Sequence, residues 1–211
     1  MLSKTFLKLS NHYDNLFERH GDSVKSSQQS DKITRDKRLK ILTQNLDLNK
    51  KISILDFGCG TGYLLQYLLR KGFNGSYTGI DISEKIINFA KYKNTYKKAQ
   101  FIKINLLEKS LKKKFDYTLV NGTFNNNTNN NWLWIRKVLK ELNKITKKEI
   151  VFNNLSEYVD YKEKKLFYIK PEKVFNFCKL NISPYIIIKN DYQIKKGIIP
   201  FEFTTFIIKK D

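Results

Sequence analysis

Two rhythms of apolar residues divide the chain. Over the first fifty residues, apolar positions recur at helical spacing in a polar background. Tyr13, Leu16 and Phe17 form one stripe of a first helix, which His20-Gly-Asp-Ser23 breaks. Residues 23–30 (SVKSSQQS) read as a loop or mobile lid. Asp31 stands where it would N-cap a second helix carrying Ile33, Leu39, Leu42 and Leu46. From residue 51 short apolar runs alternate with amphipathic stretches. Strands are predicted at 52–57, 77–82, 100–104, 115–121, 149–152, 185–188 and 203–208. Between them lie helices marked by Leu64, Leu65, Leu68 and Leu69, then by Ile86, Ile87 and Ala90 behind a Ser83 cap. A further helix carries Ile135, Val138, Leu139, Leu142 and Ile145, after an asparagine-rich loop at 125–131. Pro171 opens one with Val174, Phe175 and Phe177.

Strands alternating with helices predict an α/β fold, a Rossmann-like, mostly parallel sheet with helices on both faces. The final two strands are joined by a loop of about a dozen residues, too short for a helical crossover, which predicts an antiparallel hairpin. Residues 1–50 then form an N-terminal helical cap or lid, and residues 51–211 the sheet-bearing domain, one globular domain in all.

Composition narrows the classes. A chain of 211 residues, 41% hydrophobic, can bury a core of its own. No apolar run approaches the ~20 residues of a membrane span. The first ten residues lack the apolar segment of a secretory signal, so a cytoplasmic location is expected. Two cysteines, Cys59 and Cys178, make neither a disulfide framework nor a zinc site, and no metal is expected. The net charge of +20 has two readings. It suits a polyanionic or phosphorylated partner. It also suits a solvated surface of biased composition, because 35 of the 40 basic residues are lysine and arginine is the better phosphate fork.

The chemistry concentrates in Ile54-Leu-Asp-Phe-Gly-Cys-Gly-Thr-Gly62, a buried strand running into a glycine turn that opens a helix. Glycines there let a ligand approach the backbone. The spacing is G-x-G-x-G, not the G-x-G-x-x-G of a dinucleotide site, and Asp56 would repel a pyrophosphate. A carboxylate at that point suits a ligand bearing an ammonium and a sulfonium. Asp81, 19 residues past Gly62, ends the second strand, where a carboxylate can accept both hydrogens of a ribose diol.

This ordered set resembles the class I S-adenosylmethionine-dependent methyltransferases, from about residue 51 to 152 with a weaker tail to 208. The resemblance implies a seven-stranded sheet with its last strand antiparallel, and S-adenosylmethionine as methyl donor, leaving S-adenosylhomocysteine. By it, Asp56, Gly58, Cys59, Gly60 and Gly62 would line the amino-acid moiety and Asp81 the ribose. Ile82, Asn105 and Leu106 would meet the adenine, although an aspartate is commoner at the position of Asn105. Asn121, Thr123, Phe124 and Asn125 fall in the segment nearest the transferable methyl. The flanks at Tyr13, His20–Ser23, 152–158, 191–192 and 201–204 resemble small bacterial methyltransferases of capsule and surface-polysaccharide modification.

Methyl transfer from a sulfonium requires alignment of the acceptor and, for a hydroxyl, a base. His20, held by Asp22, and Glu202, in a strand of phenylalanines, are the candidate bases; a helix-end histidine without a role is the competing reading. Tyr13, Ser23, Tyr158, Tyr168 and Tyr192 are candidate acceptor contacts, against simple packing for most of the 12 tyrosines. The expected partner is a small polar acceptor, sugar- or phosphate-containing. An RNA methyltransferase is the alternative, favoured by the charge. A non-catalytic binding protein of the same fold is a third reading, and a nicotinamide dehydrogenase is disfavoured by Asp56.

Overall fold

The computed structural model describes residues 2–26, 28 and 31–210, with side chains from Leu7 onward. Ser27, Gln29 and Ser30 of the predicted lid lie outside those residues. Helices α1 (Leu2–His20) and α2 (Lys32–Leu42) come first. Asp31 caps α2, its Oδ1 accepting from the Thr34 amide at 2.8 Å. The alternating region runs β1 (Ser53–Phe57), α3 (Tyr63–Arg70), β2 (Ser76–Asp81), α4 (Glu84–Lys93) and β3 (Ala99–Lys103). It continues through β4 (Phe115–Val120), α5 (Asn131–Ile145), β5 (Thr146–Ser156), β6 (Tyr168–Ile169), α6 (Pro171–Asn181), β7 (Tyr185–Lys189) and β8 (Glu202–Ile208).

The sheet order is β3-β2-β1-β4-β5-β8-β7, with β6 paired to β5. Strands β1 to β5 run parallel, and β8 is antiparallel to both of its neighbours. The final pair is thus antiparallel as the short connection predicts, with β8 set inside the sheet and β7 at its edge. The chain moves outward from β1 through β2 to β3 and then returns to β4 on the other side. That reversal leaves a crevice beyond the carboxyl ends of β1 and β4.

Both faces are covered. Leu139 and Leu142 of α5, Val174 and Cys178 of α6, and Leu9 of α1 share one core with Phe152 and Ile207. Leu39 and Leu42 of α2, Leu65 and Leu68 of α3, and Ile87 and Ala90 of α4 share the other with Val151 and Phe206. Leu65, Leu68, Leu139 and Leu142 are fully buried, each stabilising the fold by about 1.5–3 kcal/mol.

Three expectations change. Among the described residues the sheet has eight strands, not seven, because β6 is two residues long and leaves no period to read. Strand β5 extends to Ser156 through Asn153 and Asn154, polar residues that are buried. Ile33 lies away from the core, 71% exposed, while Leu39 and Leu42 carry the packing of α2.

Candidate active site

Strand β1 brings Asp56 to the crevice, and the glycine turn follows. Gly58, Gly60 and Gly62 all have left-handed φ, at 75°, 52° and 81°. Two of them are also fixed by close approach. A Cβ on Gly58 would stand 2.2 Å from Thr123 Oγ1, and one on Gly62 would stand 2.9 Å from the Phe101 ring. Thr123 donates its hydroxyl to the Phe57 carbonyl at 3.0 Å, which ties the turn after β4 to the turn after β1. Cys59 is buried against Gly79, where a Cβ would come within 2.8 Å of its sulfur.

Asp56 and Asp81 line one cavity at the sheet's carboxyl edge. Burial pushes Asp56 up to about 7, against a hydrogen bond from the Tyr77 hydroxyl, and the nearby Asp81 adds to the rise. Asp81 is likewise raised by burial, with the amides of Ser83, Gly60 and Ile82 holding it down. Its Oδ2 accepts from Gly60 N–H at 3.1 Å and its Oδ1 from Ser83 N–H at 3.0 Å. The carboxylate is thereby oriented by backbone, with lone pairs left over. Two acids facing one cavity, Asp56 buried and Asp81 half-buried, each cost stability when ionised, so the site is built for a cationic or hydroxyl-rich occupant.

Of the predicted cofactor contacts, Gly58, Cys59, Gly60, Ile82, Asn105, Leu106 and Asn121 also line this cavity, whereas Gly62 does not. Gly62 sits behind it as the N-cap of α3. The side-chain Oδ1 of Asn105 accepts from the Leu107 amide at 3.2 Å, forming a local turn. Tyr13, Ser23 and Thr123 line the cavity as acceptor candidates. Burial pushes the Tyr13 phenol upward, and its oxygen accepts from Asn126 Nδ2 at 2.7 Å.

The remaining candidates fall elsewhere. His20 is exposed at the end of α1 and does not line the cavity. It shares no hydrogen bond with Asp22 among the described residues, because the Asp22 carboxylate is already engaged. That carboxylate pairs with Lys93 and accepts from Thr61 Oγ1 at 2.7 Å. Burial raises its pKa, but the Lys93 and Thr61 hydrogen bonds and the charges of Lys93 and Arg35 bring it below the ordinary range. Glu202, 2% exposed, lies outside the cavity lining and takes Arg38 Nε at 2.8 Å. Tyr192 bonds Thr204 Oγ1 at 2.8 Å in the same buried junction. Phe124 is fully buried against Trp134 and Phe152. Asn125, Tyr158 and Tyr168 do not line the cavity. Tyr158 is exposed and bonds Glu172, and Tyr168 accepts from the Glu163 amide at 3.1 Å.

Arg35 and Trp134 are among the lining residues that the sequence reading missed. Arg35 of α2 stacks on the Tyr63 ring, its guanidinium carbon 3.1 Å from the ring centroid, and its buried Nε has no hydrogen-bond partner. It precedes Leu39 by one helical turn, so the apolar stripe of α2 already placed it beside the core. Trp134 follows the asparagine tract, which is more ordered than its composition suggests. Asn131 Oδ1 accepts from the Thr128 amide at 2.7 Å, and Asn131 Nδ2 donates to the Asn126 carbonyl at 2.6 Å.

A family profile described as a methyltransferase domain matches residues 48–190. Rv1506c of Mycobacterium tuberculosis, a protein named as a methyltransferase, is 31% identical over 164 residues, spanning 74% of this chain and 93% of its own. The malonyl-[acyl-carrier protein] O-methyltransferase of Priestia megaterium is 38% identical over 76 residues, which is 36% of this chain and only 28% of that protein. Among solved structures, magnesium protoporphyrin IX methyltransferase from Synechocystis PCC 6803 with bound S-adenosylmethionine has a TM-score of 0.68 at 14% identity. That likeness covers 98% of this chain and 97% of the other. The plantazolicin methyltransferase BpumL, in complex with S-adenosylhomocysteine and a triazolic desmethylPZN analogue, has a TM-score of 0.67 at 18% identity, covering 100% of this chain and 95% of the other. By this profile and this relative, the chain belongs to the methyltransferase-domain family.

Proposed function

We propose that the cavity binds S-adenosylmethionine and that the protein moves its methyl group to an oxygen of a small polar acceptor. The observation that carries this reading is the pair of carboxylates, buried Asp56 and half-buried Asp81, lining one cavity on either side of a glycine turn. In this reading the Asp81 carboxylate accepts the ribose hydroxyls. Asp56 and the Gly58–Gly60 turn hold the amino-acid portion, and Ile82, Asn105 and Leu106 meet the adenine. Arg35, with its unpartnered Nε beside Tyr63, is suited to the donor's carboxylate. The donor supplies an electrophilic methyl on a sulfonium; the protein's part is alignment and exclusion of water.

No histidine lines the cavity among the described residues, and both of its aspartates are occupied by the donor in this reading. This favours an acceptor that arrives ionised, as a phosphate or carboxylate does, over a hydroxyl needing a base. The resemblance of the flanks supports a sugar- or phosphate-containing precursor of surface polysaccharide. An RNA acceptor is the second reading, favoured by the +20 charge. Calorimetric titration with S-adenosylmethionine and S-adenosylhomocysteine tests the donor, and absence of binding by both overturns it. Arg35→Ala is expected to weaken S-adenosylhomocysteine by about 1.5–3 kcal/mol while leaving 5′-methylthioadenosine, which has no carboxylate, unchanged. Mass spectrometry of metabolite pools incubated with isotope-labelled donor identifies the acceptor.

A further inference from the structure

We propose that Arg38, Glu202 and Asn153 form a buried strut that positions the turn after β4, making Glu202 and Asn153 positioning residues. The inference rests on the reading above that Asn121–Thr123 faces the donor's methyl end. Besides the Thr123 bond to Phe57, the turn is anchored at its glycine: the Gly122 amide donates to Asn153 Oδ1 at 2.7 Å. Gly122 has a φ of 71°, so the turn departs from extended backbone at this residue. The Asn153 amide nitrogen lies 3.5 Å from Asn121 Oδ1, at the outer limit of a hydrogen bond.

Asn153 is 2% exposed on β5, paired across the ladder with Thr204. Glu202, two residues before Thr204 on β8, projects from the same face and lies diagonal to Asn153. The Asn153 amide and the Tyr192 hydroxyl both draw the Glu202 carboxylate downward against the upward push of burial and alongside the charge of Arg38. Glu202 Oε2 accepts from Arg38 Nε, while Oε1 has no partner at hydrogen-bonding geometry. Its pull on the Asn153 amide is therefore electrostatic. That pull fixes which way the amide faces: nitrogen toward the carboxylate, oxygen toward Gly122. A buried charge held on a helix thus sets the rotamer of an asparagine on which the turn depends. Arg38 lies one turn beyond Arg35 on α2, so one helix serves both the cavity and the strut.

The test is a charge exchange. Asn153→Asp keeps an acceptor for Gly122 but sets a second carboxylate against Glu202, turning the side chain away. Adding Glu202→Gln restores the pattern, with the new amide able to donate to residue 153 and accept from Arg38. Hydrogen exchange of the Gly122 amide, followed by NMR in glycine-labelled protein at pH 8, is expected to speed about tenfold or more in the single variant. In the double variant it should return to within about threefold of the parent. Thermal melts separate this local change from global loss of stability, and the double variant answers for a single variant that folds poorly. Unchanged Gly122 exchange in Asn153→Asp overturns the strut, as does a change that Glu202→Gln fails to reverse. Affinity for S-adenosylhomocysteine is measured in parallel. If the parent protein binds none, the donor reading fails while the exchange result still decides the strut.

Discussion

At the scale of single residues, Asp81 and Asp56 do different work although both are acids lining one cavity. Asp81 is oriented by three backbone amides, so its removal deletes contacts and leaves the turn without its anchor. Asp81→Ala is expected to weaken donor binding by about 1.5–3 kcal/mol, roughly 10- to 100-fold in dissociation constant, measured by calorimetry. Asp56 governs pH dependence. It holds its proton up to about 7 in the fold, whereas in an unfolded chain it ionises near ~4. Its contribution to stability is therefore full below the lower value and fades as pH rises to about 7. An ammonium in the cavity pulls the other way, favouring the charged carboxylate. Donor binding at pH 6 should therefore expel a proton, and affinity should climb between pH 6 and pH 8. Titrations in two buffers of different ionisation enthalpy read that proton directly; equal heats in both would remove Asp56 from the contact.

Elements explain what the sequence could and could not disclose. The glycine turn and both aspartates are consecutive in β–turn–α units, so their order along the chain already states their arrangement in space. Thr61, Gly60 and Asp81 need no long-range information to be placed together. Glu202 is different: it lies in a strand whose neighbour, β5, is about fifty residues earlier. Its partner Arg38 comes from a helix 164 positions away in sequence. Such contacts are products of topology, and a carboxylate among phenylalanines reads equally as a base or as half of a buried pair. Helix α1 and the turn that follows it are held over the site by similar long-range contacts: Asp14 with Ser83, Glu18 with Lys85, and Asp22 with Lys93. The last two pairs reach solvent, which screens them, so they are weak enough to open for ligand entry. Trypsin cleavage at Arg19 and Lys25 should accordingly slow several-fold when S-adenosylhomocysteine is bound. Identical cleavage rates with and without it would deny this segment a closing role.

Over the whole molecule, charge is the dominant collective property. At +20, lysines repel one another across the surface, and the nine ion pairs found among the described residues relieve only part of it. Salt screens such repulsion with a Debye length of about 10 Å at 0.1 M. The melting temperature is therefore expected to rise as sodium chloride increases from 20 to 300 mM. The same titration distinguishes the acceptor classes. Binding to tRNA fragments that weakens with salt but persists at about 0.15 M would support the RNA reading, whereas binding that vanishes by about 0.15 M would reduce the charge to a general property of the surface.

The placement of β8 between β5 and β7 bears on how the protein is made. During synthesis β5 emerges long before the strand that will flank it, and β7 has no neighbour in the sheet until β8 arrives. The two must stay open, with unsatisfied edges, until Glu202–Ile208 threads between them. A nascent chain stalled near residue 195 would thus present two sticky margins rather than a nearly finished enzyme.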